Sequence, residues 1–138
     1  MRISNIMTNY AEAITPEQTV SEAAVRMADI DSGSLFVEEG TRLVGVVTDR
    51  DIVVKAIAKG LTLETPVKEI MTSELVTCTA DEEVGEVAER MAEAEVRRIP
   101  VIDEHKCLIG VVSLSNIVSA NDQFAENTLL DATAKPHR

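Results

Sequence analysis

The chain repeats itself, and no other property limits its possible folds as much. Ile6-Met7-Thr8 returns as Ile70-Met71-Thr72, an offset of 64. At that offset Thr15 meets Thr79, Val20 meets Val84, Glu22 meets Glu86, Ala24 meets Ala88, Met27 meets Met91 and Val37 meets Val101. The offset then becomes 65, where Gly45-Val46-Val47 meets Gly110-Val111-Val112 and Ile52-Val53 meets Ile117-Val118. The change falls at Glu38-Glu39-Gly40-Thr41 and Asp103-Glu104-His105-Lys106, both of which read as hairpin turns. A repeat this long implies two copies of one structural unit.

Each copy carries the same signals in the same order. A short helical turn (3–7; 67–71) leads into an extended stretch (13–15; 75–79). An amphipathic helix follows. In the first copy Thr19 is placed to cap it, with Glu22 completing a capping box. Val20, Ala23, Ala24 and Met27 then share one face, as do Val84, Val87, Ala88 and Met91 in the second copy. Glu83, Glu86, Glu89 and Glu93 are left for water. Two β-runs joined by the turn come next, 34–37 with 42–47 and 98–102 with 107–112. A second helix, 52–58 in the first copy, closes each unit, and Gly60 is placed to end the first one. Each copy alone has about 55 residues, a marginal size for independent folding. The two are therefore expected to pack together through their apolar sheet faces. The division is 1–60, 61–122 and a C-terminal tail, 123–138, with 59–65 as connector. In the tail Phe124, Leu129 and Leu130 are candidates for docking, and Pro136-His137-Arg138 reads as a loose end.

Composition narrows the function. Aromatic residues make up only 2% of the chain, so Val, Ile, Ala, Leu and Met must build the core and base stacking is not available in quantity. With 24 acids against 13 bases the net charge is −11, which repels a polyphosphate backbone. Nucleic acid and anionic membrane are therefore not expected as direct partners, whereas a small anion needs only one basic spot. Cys78 and Cys107 lack metal-ligand spacing and read as thiols in a reducing compartment. His105 falls in a turn and His137 near the end, so no metal site is expected. The N-terminus has no apolar leader and no run reaches the ~20 apolar residues of a membrane span, which points to the cytoplasm.

Two stretches carry chemistry. The first is Gly45-Val46-Val47-Thr48-Asp49-Arg50-Asp51, an apolar strand running into a helix. Thr48 and Asp51 sit at the open N-terminal end of that helix. One reading is local: the pair caps the helix, worth about 1 kcal/mol. The other is a binding site, in which the carboxylate accepts from a ribose diol while the hydroxyl and helix N–H groups hold ribose or phosphate oxygens. The second stretch is Val96-Arg97-Arg98-Ile99-Pro100-Val101. Its arginines either pair with Glu93 or Glu95 at the surface or form a phosphate clamp through their planar forks of donors.

The Ile-Met-Thr opening, the Val-x-Glu-Ala-x-x-x-Met helix, the Ile-Pro-Val strand and the Gly-Val-Val-Thr-x-x-Asp-Ile close, taken together and twice over, resemble the CBS-domain pair, or Bateman module, of stand-alone type. The resemblance covers residues 1 to about 120. It implies an α+β fold, a tandem pair of βαββα units related by a pseudo-twofold axis and packed through their sheets. It also implies a homodimer, with clefts between the repeats that take adenosyl compounds such as AMP, ADP, ATP or S-adenosylmethionine. By the family pattern the main cleft joins Thr48 and Asp51 to Val76, Thr77, Val96, Arg97, Arg98, Ile99 and Pro100, with Val76, Val96 and Pro100 on the adenine and Arg97 or Arg98 on the phosphates. The second cleft joins Ser113 and Asn116 to Glu12, Ser34 and Phe36. Glu12 and Gly33-Ser34 stand there at the positions of Val76 and Arg97-Arg98, so the second cleft is expected to be weak or empty for a phosphorylated ligand.

The expected function is a regulatory module that senses an adenosyl nucleotide for an unidentified partner protein and requires no cofactor. The competing reading is a ligand-independent dimerisation or scaffold protein whose motifs only cap helices. An enzyme is not expected, because the sequence offers no nucleophile–base pair, metal spacing or Walker loop.

Overall fold

Strand, turn and cap signals fix where each element begins. A computed structural model describes residues 1–9 and 11–120; the expected tail, with Phe124, Leu129 and Leu130, lies outside the described residues. The strands are β1 (Ala13–Ile14), β2 (Ser34–Glu39), β3 (Arg42–Thr48), β4 (Arg98–Ile102) and β5 (Leu108–Ser113). The helices are α1 (Val20–Ile30), α2 (Asp49–Asp51, continuing as a π-helix over Ile52–Ile57), α3 (Val84–Ala94) and α4 (Leu114–Ser119). Short 3-10 turns form at Ile3–Asn5 and Val67–Glu69. The fold is α+β.

The chain divides into two compact units, and they do not coincide with the two successive repeats. One is Glu12–Leu75; the other combines Met1–Ala11 with the chain from Val76 onward. Each unit thus contains the opening segment of the other repeat. In the unit that begins at Glu12, the N–H groups of Val67 and Lys68 donate to the carbonyls of Gln18 (2.8 Å) and Pro16 (3.1 Å), and Val20 donates to Thr65 (2.9 Å). In the other unit the N–H groups of Ile3 and Ser4 donate to Glu82 (3.0 Å) and Ala80 (2.8 Å), and Val84 donates to Met1 (2.9 Å). Residue for residue this is the same network, displaced by 64. The division at residue 60 follows the repeats, whereas these bonds set the compact units.

In the Glu12–Leu75 unit β1 pairs parallel with β2, and β2 pairs antiparallel with β3. In the other unit β4 and β5 form an antiparallel pair, and the extended stretch at 75–79 adds a parallel bridge between Cys78 and Val101. Each hairpin has a register shift at the same repeat position, Val37/Glu38 and Val101/Ile102. The first turn is closed by Gly40 at φ +65°. In the second, Lys106 takes φ +64°, and Asp103 Oδ1 accepts from the N–H groups of His105 and Cys107, each at 2.9 Å. The Cys107 N–H is the main influence holding the Asp103 carboxyl below its ordinary range.

Each unit has its own core. Val20, Ala23 and Met27 of α1 pack with Leu35, Val37, Val47, Ile52, Val67 and Ile70. Val84, Val87, Ala88 and Met91 of α3 pack with Ile3, Ile99, Val101, Val112 and Ile117. The buried stripe of α1 is narrower than expected, since Ala24 is exposed whereas its counterpart Ala88 is fully buried. Thr19 does cap α1, accepting from the Glu22 N–H at 3.1 Å. The Glu22 carboxylate does not return the bond; it accepts from Gln18 Nε2 instead, so only half of the expected capping box forms.

A backbone bridge docks each opening segment. Thr8 and Val111 exchange N–H to carbonyl bonds, both at 2.9 Å, and Thr72 and Val46 do the same at 2.9 and 3.0 Å. The residue before each strand partner is a glycine, and a side chain there would collide with the segment. A Cβ on Gly110 would lie 2.5 Å from the Thr8 carbonyl oxygen. One on Gly45 would lie 2.7 Å from Met71 Sδ and 3.0 Å from the Thr72 oxygen.

Arg90 braces α3. Its Nη2 donates to Glu82 Oε1 (2.6 Å), and its Nη1 donates to Glu82 Oε2 (3.0 Å) and to the Thr77 carbonyl (2.8 Å). The Thr79 N–H also donates to Glu82 Oε2, at 2.8 Å. The Arg90 guanidinium is the main cause of a Glu82 pKa below the ordinary carboxylate value.

Two measurements test these contacts. Gly110→Ala should lower stability to urea by about 1–3 kcal/mol, because a backbone oxygen must move. Gly45→Ala should cost less, because the Met71 side chain can swing away; equal costs would refute the docking explanation. Glu82→Gln should destabilise by about 1 kcal/mol at pH 7, a value reduced by the pair's partial exposure. Since the folded pKa is depressed, the contribution is complete above the ordinary value of 4.5 and is lost as pH falls through the folded pKa. The difference between variant and parent should therefore shrink on acidification below that value, as followed by urea titrations across pH.

Candidate functional site

The strand-to-helix corner of each unit is held by a reciprocal cap. At the first, the Asp51 N–H donates to Thr48 Oγ1 and the Thr48 N–H donates to Asp51 Oδ2, each at 3.0 Å. The local reading of this pair is therefore realised. Asp51 is only 8% exposed and is the one buried charged side chain among the described residues. A carboxylate oxygen can accept more than one hydrogen bond, so the cap leaves acceptor capacity. At the second corner the Ser113 N–H donates to Asn116 Oδ1 at 2.8 Å and the Asn116 N–H donates to Ser113 Oγ at 3.3 Å. The geometry is conserved between the copies and the charge is not.

A side chain that the sequence reading passed over lies at the first corner. Lys55 Nζ is 3.1 Å from Asp51 Oδ1, and it donates to the Ile70 carbonyl (3.3 Å) and Thr72 Oγ1 (3.4 Å). The available signal was its spacing, four residues beyond an acid on a helix. Here the helix is π-wound, with the Ala58 N–H donating to the Val53 carbonyl at 2.9 Å. π-turns recur at functional sites.

Beside the first corner, Ser34 pairs with Thr48 across β2 and β3, and the Asp49 N–H donates to the Gly33 carbonyl at 2.9 Å. Phe36 is buried, and its N–H donates to the Glu12 carbonyl at 3.2 Å. The Glu12 carboxylate is paired with the Arg26 guanidinium, whose Nε donates at 2.9 Å. Glu12, the acid expected in the weaker cleft, is thus a compensated one. Beside the second corner, Arg98 pairs with Ser113 across β4 and β5, and the Leu114 N–H donates to the Arg97 carbonyl at 2.8 Å. Arg97 and Arg98 are exposed, Val76, Thr77 and Val96 are half-buried, and Pro100 is buried. Ile99 is completely buried in the core of its unit. Its side chain is thus committed to packing, which leaves its main chain for the expected main cleft.

Each compact unit therefore carries part of both expected sets. Thr48, Asp51, Glu12, Ser34 and Phe36 belong to one unit; Val76, Thr77, Val96 to Pro100, Ser113 and Asn116 belong to the other. Cys78 is not a nucleophile in waiting: burial pushes its thiol up to about 12, which keeps it neutral. No group of three or more His, Cys, Asp or Glu side chains that could hold a metal ion occurs among the described residues, and none of their helices is long and apolar enough to cross a membrane.

Comparison with known proteins places this geometry. Hypoxic response protein 1 of Mycobacterium tuberculosis is 32% identical over 134 residues, covering 96% of this chain and 93% of that one. The crystal structure of Hypoxic Response Protein I with two coordinated zinc ions superposes with a TM-score of 0.79 at 31% identity, covering 87% of this chain and 98% of that one. CBSX2 in complex with AMP superposes with a TM-score of 0.76 at 26% identity, covering 88% and 96%. The CBS domain pair of protein MJ0100, in complex with 5′-methylthioadenosine and S-adenosyl-L-methionine, superposes with a TM-score of 0.73 at 26% identity, covering 87% and 98%. The CBS domain pattern itself matches twice, over residues 3–57 and 67–122, and the chain belongs to the CBS domain family as a tandem pair.

Proposed function

We propose that the protein is a cytoplasmic regulatory module that binds an adenosyl compound, of the AMP, ADP or ATP type, and transmits the bound state to a regulated protein without covalent chemistry of its own. The observation that supports this most directly is that CBSX2 is solved with AMP and the MJ0100 pair with two adenosyl compounds. S-adenosylmethionine is accordingly a second ligand class to test. The polar groups of this chain suit such a ligand. In this reading Asp51 accepts from the ribose diol, and Thr48 with the adjacent N–H groups holds a ribose or phosphate oxygen. Val76, Val96 and Pro100 face the adenine, with Thr77 and the main chain of Ile99 beside them, and Arg97 or Arg98 meets the phosphate. The set formed by Glu12, Ser34, Phe36, Ser113 and Asn116 is the weaker one. The module is expected to act as a homodimer in which the ligand ties the two repeats together.

The complete cap at Thr48 and Asp51 favours one alternative, a scaffold in which these residues stabilise a helix and bind nothing. Melting temperature separates the two. A ligand at 100 times its Kd stabilises by about 2.7 kcal/mol, which for a chain of this size is a shift of several degrees. A flat melting temperature across saturating AMP, ADP, ATP and S-adenosylmethionine would establish the scaffold.

Calorimetry with the same four compounds tests the assignment of residues. At least one should bind below the millimolar range. Asp51→Ala and Arg98→Ala should each weaken it by about tenfold or more, the worth of a hydrogen bond to a charged group. Undiminished binding by the double variant would remove both residues from the site.

A further inference from the structure

Lys55 holds the carboxylate on which the proposed ribose contact depends. The two oxygens of Asp51 have different partners: Oδ2 accepts from the Thr48 N–H, and Oδ1 faces Lys55 Nζ at 3.1 Å. Asp51 is buried, whereas the Lys55 side chain remains 45% exposed. The ammonium is also tethered to the Ile70 carbonyl and to Thr72 Oγ1, both in the opening segment of the second repeat. It is thus a flexible cation parked on an anchored anion.

The second copy supplies an internal control. At the offset of 65, Asp51 corresponds to Asn116 and Lys55 to Ala120. Both charges are present in one copy and both are absent from the other, although the cap itself is kept in both. The cap therefore does not require the lysine. What the lysine changes is the charge of the corner, which is neutral with Lys55 and negative without it.

We propose that Lys55 is a specificity-determining residue of the Thr48–Asp51 site, favouring ligands that carry a phosphate over adenosyl compounds that do not. The inference rests on the proposed adenosyl-binding function. A ribose hydroxyl is a neutral donor and must share Asp51 Oδ1 with an ammonium that bonds it more strongly. A nucleoside without a phosphate gives that ammonium nothing in exchange. A phosphorylated ligand offers a second anion within the sweep of a four-carbon stem, so Lys55 can turn to it while the ribose takes Asp51. Without Lys55, the uncompensated Asp51 carboxylate repels the phosphate.

The test is the ratio of affinities for AMP and 5′-methylthioadenosine, which differ at the ribose 5′ position, measured by calorimetry on the full chain. The parent protein should prefer AMP. Lys55→Gln, which retains helix propensity and the first part of the stem but not the charge, should reduce the AMP preference by about tenfold, whereas Lys55→Arg, which retains the charge, should preserve it. A purely structural role for Lys55 would weaken both compounds equally and leave the ratio unchanged. Binding with an unchanged ratio in Lys55→Gln overturns the specificity role and leaves the adenosyl-binding reading intact. Failure of the parent protein to bind AMP, ADP, ATP, S-adenosylmethionine and 5′-methylthioadenosine alike overturns both.

Discussion

The structure depends on two close approaches between backbones. In each unit the threonine of an opening segment exchanges two hydrogen bonds with the residue after a strand glycine, and its carbonyl occupies the space a side chain would need. Buried backbone groups must find partners, and an incomplete hairpin edge cannot supply them alone. The bridge satisfies that requirement and places the opening segment beside the end of β3 or β5. The same strands run directly into the capped corners. Glycines that read as ordinary strand residues are thus what allows each opening segment to dock.

The two corners show what duplication followed by divergence leaves intact. Thr48 with Asp51 and Ser113 with Asn116 form the same reciprocal cap, because an amide oxygen accepts as a carboxylate oxygen does. Only the charge differs, and the surroundings differ with it. Lys55 accompanies the acid, whereas an alanine accompanies the amide. The helix-facing arginines diverge in the same way: Arg26 neutralises Glu12, whereas Arg90 braces Glu82 and the Thr77 carbonyl. A chain of net charge −11 offers few cations to an anionic ligand, so the placement of Arg97, Arg98 and Lys55 matters more than their number.

Much of this was legible in the sequence because it is local. Helical spacing identified Val84, Val87, Ala88 and Met91 as the buried face of α3, and the turn residues located both hairpins. The hydroxyl-x-x-carboxylate spacing identified the cap. What escaped was non-local or depended on small differences. Sequence order does not say which repeat an opening segment will complete, so the exchange of 1–11 and 67–72 became visible only through hydrogen bonds such as those of Ile3 and Val67. Period alone did not distinguish Ala24 from Ala88, since both sit at the edge of an apolar stripe. The lysine at i+4 carried no signal beyond its spacing, because two of its partners, Ile70 and Thr72, lie on another segment. Ile99 was assigned to a ligand from a motif, and only packing showed its side chain committed to the core.

The exchanged openings also govern how the chain comes apart. The polypeptide passes between its two compact units twice, once after Ala11 and again after Leu75. A single cut in the connector at 59–65 therefore yields fragments that each retain pieces of both units. An isolated first repeat keeps the segment that covers β5 but lacks β5, and it exposes the edge of β3 that Thr72 would have covered. Such a fragment can cover that edge only with an opening segment, its own or that of another chain, so separating the repeats exchanges one set of backbone pairings for another rather than halving the molecule.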